Sequence, residues 1–133
     1  MKFKIRDIGA EGERVSRRLP RARVVELLTR DGVELAPGPA SAEVDLTLTR
    51  TERDEVFVRG RIAGEFHVAC ARCLAPARIE ARDDDLQLTF LKDPAPGSRE
   101  ALTIEDLDTF AHDGEVVDLA PVVREMLLLA IPI

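Results

Sequence analysis

Between Val56 and Leu74 the chain reads VFVRGRIAGEFHVACARCL, and the even positions Val56, Val58, Gly60, Ile62, Gly64, Phe66, Val68 and Cys70 hold its apolar and small residues. A period of two puts successive side chains on opposite faces of a β-strand. The odd positions carry Arg59, Arg61, Glu65 and His67, so the pattern predicts a long strand with one face on a core and the other in water. Gly60 and Gly64 fall on the buried parity, where a missing side chain permits a bend or the close approach of another element. Upstream, Val44, Leu46 and Leu48 alternate with Asp45, Thr47 and Thr49, which predicts a strand over 43 to 50. The charged link from Thr51 to Glu55 is short enough for a hairpin between the two. Downstream of Pro76 a third extended segment begins, and its buried parity changes from odd at Ile79 and Ala81 to even at Leu86, Leu88 and Phe90. One extra residue near Asp83-Asp84-Asp85 re-phases a strand in this way, so a bulge or kink is expected there.

Elsewhere the period differs. Phe3 and Ile5 alternate with Lys2, Lys4 and Arg6, predicting a short first strand that ends near Gly9, followed by a Gly-Ala-Glu-Gly loop. From Pro20 the spacing of Val24, Val25, Leu27 and Leu28 is helical, with Pro20 suited to a helix start and Gly32 to a stop. A second helix is expected after Asp118, its apolar stripe formed by Leu119, Val122, Val123, Met126, Leu127 and Ala130, tolerating Pro121 in its first turn and stopped by Pro132. The end from Leu127 to Ile133 is apolar all round and is expected to be buried, in the domain or against a partner; a homodimer through this end stays open. Residues 92 to 116 hold Pro94, Pro96, Gly97 and a run of acids without periodicity, predicting a mobile acidic loop. The fold class that follows is α+β: one domain over 1–133, with a bent antiparallel sheet of long strands covered by two helices.

Composition refines this picture in three respects. At 133 residues the chain fits a single domain that needs no disulfide staple. The N-terminus lacks a signal-peptide core, and the longest terminal apolar run, Met126 to Ile133, is too short to span a bilayer, so a cytoplasmic protein without membrane contact is expected. The net charge of −6 is unevenly spread, because residues 1 to 23 hold eight Lys or Arg against Asp7, Glu11 and Glu13. Such a basic stretch suits an anionic partner, and the alternative, which charge pattern alone favours, is a solvated strand and loop. Lys2, Lys4, Arg6, Arg14, Arg17, Arg18, Arg21 and Arg23 are therefore candidates for RNA phosphate contacts, with Arg59, Arg61 and Arg72 as a second surface. Trp and Tyr are absent, so a base-stacking platform would have to come from the five Phe residues, which argues against an RRM-like RNA reader.

The candidate chemistry is sparse. Cys70 and Cys73 have the spacing of half a zinc knuckle, and a closed site needs four ligands. His67 and His112 complete a Cys2His2 set on paper, but His67 starts on the opposite strand face from Cys70. Free thiols are the alternative, with a facultative disulfide between them the lesser one. No phosphate-binding loop, dinucleotide-binding glycine pattern or nucleophile elbow occurs, so no enzyme is expected.

The strand Val58 to Phe66, the tip Cys70-Ala71-Arg72-Cys73-Leu74-Ala75-Pro76, and the end Val117-Asp118-Leu119 through Val123-Arg124-Glu125-Met126-Leu127-Leu128-Leu129-Ala130-Ile131-Pro132 together resemble the YceD family, the large ribosomal RNA subunit accumulation proteins. The resemblance spans essentially the whole chain. It implies a non-enzymatic bacterial or plastid-type factor of ribosome biogenesis that binds large-subunit ribosomal RNA, a ribosomal protein or an assembly factor. The alternatives are a protein-interaction adapter that never touches RNA and a small zinc module. By resemblance Cys70, Arg72, Cys73 and Leu74 occupy the family's signature tip. Many members continue into a tail with further cysteines and are regarded as metal-binding. Cys70 and Cys73 are the two cysteines here, so no cofactor is expected to be required, and zinc on them is expected only where a second chain or another protein supplies the remaining ligands.

Overall fold

A computed structural model describes residues 1–69, 72, 74–92 and 109–132. In chain order the elements are β1 (Lys2–Lys4), a 3-10 turn (Ile5–Asp7), β2 (Glu13–Leu19), α1 (Arg21–Thr29), β3 (Ser41–Arg50), β4 (Val56–Ala69), β5 (Pro76–Lys92), β6 (Thr109–His112), β7 (Val116–Asp118) and α2 (Ala120–Leu129). The α+β class is as the periodicities indicate. Five strands form one sheet in the order β2-β3-β4-β5-β6, and β1 with β7 forms a second. Neighbours β3 and β4 are joined by five residues and β4 and β5 by six, connections that allow only antiparallel pairing. Strand β6 departs from the antiparallel expectation: it lies parallel to β5, with Phe90 opposite Phe110.

The chain forms two compact units. The first comprises Met1–Val15, Leu46–Gly60 and Asp85–Leu119. Its core holds Ile5, Ile8, Val15, Leu46, Leu48, Val56, Val58, Leu88, Phe90, Val117 and Leu119. Strands β1 and β7 close it in antiparallel register, Lys2 opposite Asp118 and Lys4 opposite Val116, and the Leu119 N–H donates to the Met1 carbonyl at 3.0 Å. The second comprises Ser16–Asp45, Arg61–Asp84 and Ala120–Ile133. Here α1 buries Val24, Leu27 and Leu28, α2 buries Val122, Val123 and Leu127, and Arg124 Nε reaches Asp31 Oδ2 at 3.2 Å.

Strand β4 buries the even Val56, Val58, Ile62 and Phe66, with Gly60 and Gly64 half-buried between them, whereas β5 buries odd Ile79 and Ala81 and then even Leu88 and Phe90. Asp84 and Asp85, consecutive and both exposed, lie where the parity turns over. Two segments differ from expectation. The acidic loop expected over 92 to 116 is strand at 109–112 and again at 116–118, because both pieces find non-local partners in β5 and β1; residues 93–108 lie outside the described residues. The apolar C-terminal end is only partly buried: Leu127 is fully enclosed and Leu129 is 80% exposed. No helix among the described residues is long and apolar enough to cross a membrane.

The turn between β6 and β7 is built on Asp113, whose Oδ1 accepts the N–H groups of Glu115 at 2.8 Å and Val116 at 2.9 Å. The Val116 bond first, then the Glu115 bond, favours the ionised carboxylate and holds its pKa below the ordinary 3.8. A carboxylate depressed on folding stabilises the native state above its unfolded value, and that contribution is lost as pH falls through the folded value. Asp113→Ala is therefore expected to weaken the protein at neutral pH and to converge with the parent at acid extremes. Paired acid-unfolding curves check this, and a gap that stays constant down the acid limb would refute it.

Candidate nucleic-acid interface

The eight N-terminal cations do not form one arm. Lys2 and Lys4 belong to β1, Arg6 to the 3-10 turn, Arg14, Arg17 and Arg18 to β2, and Arg21 and Arg23 to α1. The division between the compact units falls between Val15 and Ser16, so Lys2, Lys4, Arg6 and Arg14 lie in the first and Arg17, Arg18, Arg21 and Arg23 in the second. Arg59 is in the first unit, and Arg61 and Arg72 are in the second. All are exposed except half-buried Arg23.

Local bonds separate structural arginines from available ones. Arg21 donates to the Gly38 carbonyl and, at 3.3 Å, to that of Ala36, strapping the segment ahead of β3 to the start of α1. Arg23 pairs with Glu26 one turn along, at 2.9 Å. Arg18 has no hydrogen-bond or ion-pair partner among the described residues.

On the outward face of the sheet in the second unit, the alternation of β2, β3, β4 and β5 brings Arg18, Arg61 and Arg82 around one open groove of about 410 Å³, which Arg17, on the parity of Val15 and Leu19, borders from the edge strand. Glu43, Asp45 and Asp84 line it between them, and the uncharged part of the lining includes Ser16 and Ala63. Arg61 Nε stands 4.0 Å from Asp45 Oδ2, at the limit of an ion pair, and Arg82 Nε contacts both Asp84 carboxyl oxygens at 3.0 and 2.9 Å. Arg61 and Arg82 are 62% and 69% exposed, and ion pairs so open to water contribute about 0–1 kcal/mol. Either guanidinium can leave its carboxylate for a phosphate at small cost. Arg82 was not among the sequence candidates. Its signal was the alternation Ile79-Glu80-Ala81-Arg82, which sets it on the outer face with Glu80, but the three following acids obscured it.

The fold also redistributes charge. The first unit contains nine Lys or Arg and fifteen Asp or Glu, which is the whole net charge of −6. The second contains ten Arg, no Lys and ten acids, so it is neutral. Repulsion of a polyanion thus originates in the first unit, and arginine, the cation whose planar fork matches phosphate, is concentrated in the second.

Cys70 and Cys73 lie outside the described residues, Arg72 is exposed, and Leu74, with φ of 57°, is 78% exposed. Among the described residues no three His, Cys, Asp or Glu side chains gather as a metal site. His112 is committed elsewhere. Its Nδ1 accepts the Gly114 N–H at 2.9 Å, so the ring proton sits on Nε2, which donates to the Asp54 carbonyl at 2.7 Å. Both ring nitrogens are used, which withdraws His112 from the four-ligand set drawn on paper. The His67 ring places Nδ1 3.0 Å from the Pro39 carbonyl oxygen. Asp84 and Asp85 engage Arg82 and Gln87 respectively.

No curated protein and no solved structure matches the chain. The family model described as large ribosomal RNA subunit accumulation protein YceD matches residues 58–133. The match begins on β4, so the eight N-terminal cations stand outside it, whereas Arg59, Arg61, Arg72, Arg82 and the Cys70 to Leu74 tip fall within it. Matched over more than half its length, the chain belongs to the YceD family, whose description names a role in the accumulation of large-subunit ribosomal RNA.

Proposed function

We propose that this protein supports accumulation of large-subunit ribosomal RNA by holding that RNA directly, through backbone phosphates laid in the groove of Arg18, Arg61 and Arg82. The observation that carries this reading is the convergence of three exposed arginines, Arg18, Arg61 and Arg82, from three strands on one concave face of a neutral unit. Phosphate contacts of this kind set affinity and position rather than sequence choice. No bond is made or broken, so the role is non-enzymatic and needs no cofactor. It is exercised where ribosomes are assembled, in the cytoplasm.

The test is binding of the purified protein to large-subunit ribosomal RNA fragments over a salt series. Each arginine that neutralises a phosphate contributes about one unit to the logarithmic salt slope. The Arg18→Ala/Arg61→Ala/Arg82→Ala variant is expected to bind at least roughly tenfold more weakly at low salt, with a slope shallower by about three. Lys2→Ala/Lys4→Ala is expected to change little. Equal slopes for the triple variant and its parent would remove the groove from RNA binding.

A second reading, an adapter for a basic ribosomal protein or assembly factor, is favoured by the excess of acids in the first unit. Failure of the parent protein to bind RNA at low salt, with capture of a basic ribosomal protein, would select it.

A further inference from the structure

The carboxylates in the arginine groove are out of place for a surface whose ligand is only phosphate. Glu43 and Asp45 project from β3, between β2 with Arg18 and β4 with Arg61, and Asp84 lies two residues beyond Arg82 on β5. Neighbouring strands lie about 4.8 Å apart, so the β3 carboxylates stand roughly one strand spacing from Arg18 on one side and from Arg61 on the other, and β5 carries its own acceptor beside Arg82. Asp45 and Arg61 show the alternation directly, at 4.0 Å.

We infer that Glu43, Asp45 and Asp84 accept hydrogen bonds from ribose 2′-hydroxyls while the interleaved arginines hold the phosphates, so that the groove selects RNA over DNA. The inference rests on the RNA-binding reading above. A 2′-oxygen lies only a few bonds from the phosphate of its own nucleotide, and a carboxylate is a strong acceptor for the proton it carries. On DNA the same carboxylates face a C–H and a phosphate, with repulsion and no donor to offset it.

The shape of the ligand follows from what the second unit lacks. Its sole Phe, Tyr or Trp is Phe66, fully buried, and its one imidazole, His67, is tied at Nδ1 to the Pro39 carbonyl, so no large exposed aromatic platform is there for unpaired bases to stack on. Binding of single strands draws much of its affinity from such stacking. The wide, shallow minor groove of an A-form duplex displays 2′-hydroxyls in rows flanked by phosphates, which an alternating acceptor and guanidinium surface matches. The ligand class assigned to the groove is therefore double-helical RNA, read without regard to sequence.

Three duplexes of one sequence test this with the full chain: RNA, DNA, and an RNA whose 2′-hydroxyls are replaced by fluorine, which keeps the A-form and removes the donor. The parent protein is expected to bind the RNA duplex about tenfold more tightly than either of the others. In Glu43→Ala/Asp45→Ala the preference should fall to within about twofold, largely through tighter binding of DNA and fluorinated RNA. Equal affinity of the parent for RNA and fluorinated RNA, or a preference that survives in the variant, would overturn the inference while leaving phosphate binding intact. Binding of none of the three at low salt would take down the phosphate reading with it.

Discussion

Replacement of His112 by Ala is expected to cost about 3 kcal/mol of stability, seen as a fall in the urea midpoint with an unchanged slope. The side chain is 4% exposed and is the sole buried polar or charged residue among those described. It ties two turns of the first unit together. Nε2–H donates to the carbonyl of Asp54, a residue held at φ of 59° in the β3–β4 connection, and Nδ1 accepts from Gly114 in the β6–β7 connection. A non-glycine residue in the left-handed region is strained and persists when its surroundings fix it. Removing the ring therefore strands a carbonyl and an N–H at a buried site, each costing about 1–3 kcal/mol if water cannot reach it, and frees Asp54 to relax. His112→Phe keeps the volume and loses both bonds, so it should be nearly as damaging as Ala. A loss below about 1 kcal/mol in both variants would mean that water replaces the ring without penalty and that the two turns hold by themselves.

His112 also marks where sequence stops being informative. Strands β3, β4 and β5 were legible because each buries one face, and a period of two is the direct imprint of that burial. Even the change of parity at Asp83 to Asp85 could be read, since it is a property of one strand. Both helices were legible for the same reason, their stripes pointing at one core. Strand β2 was not. Its buried residues, Val15 and Leu19, are four apart with arginines between, a spacing that fits a strand face and a helix face alike, and it is an edge strand with a partner on one side only.

Strands β6 and β7 were hidden differently. Each is at most four residues long, and each exists because of a distant partner, Thr89 to Lys92 for one and Lys2 to Lys4 for the other. Local pattern cannot encode a pairing made twenty residues away, as for Thr89 and Thr109, still less one made across more than a hundred, as for Lys2 and Asp118. The groove was half legible: Arg17, Arg18 and Arg61 could be nominated as exposed cations, but convergence with Arg82 depends on strand order. The N-terminal cations looked like one arm because they are contiguous in sequence, and the fold divides them.

The other large effect is expected at Gly64, where the second unit permits no side chain. A Cβ built there meets Leu127 Cδ2 at 2.7 Å, Ala42 Cβ at 3.4 Å and the Ser41 carbonyl oxygen at 3.4 Å. Leu127 belongs to α2 and is fully buried, so its methyl cannot swing into solvent. The glycine is what lets α2 pack this closely on β4. Gly64→Val is expected to destabilise by about 3 kcal/mol, at the upper end of overpacking because both branches of the side chain add to the clash. Gly64→Ala should cost less, about 1–2 kcal/mol, and Leu127→Ala about 3 kcal/mol through the cavity it leaves. The decisive quantity is their combination. If Cβ and Cδ2 compete for one space, the double variant Gly64→Ala/Leu127→Ala should be more stable than the sum of the single losses predicts, by about 1 kcal/mol or more. Additive losses would show instead that α2 moves as a body to make room, and that contact with β4 at this point is not what seats the helix.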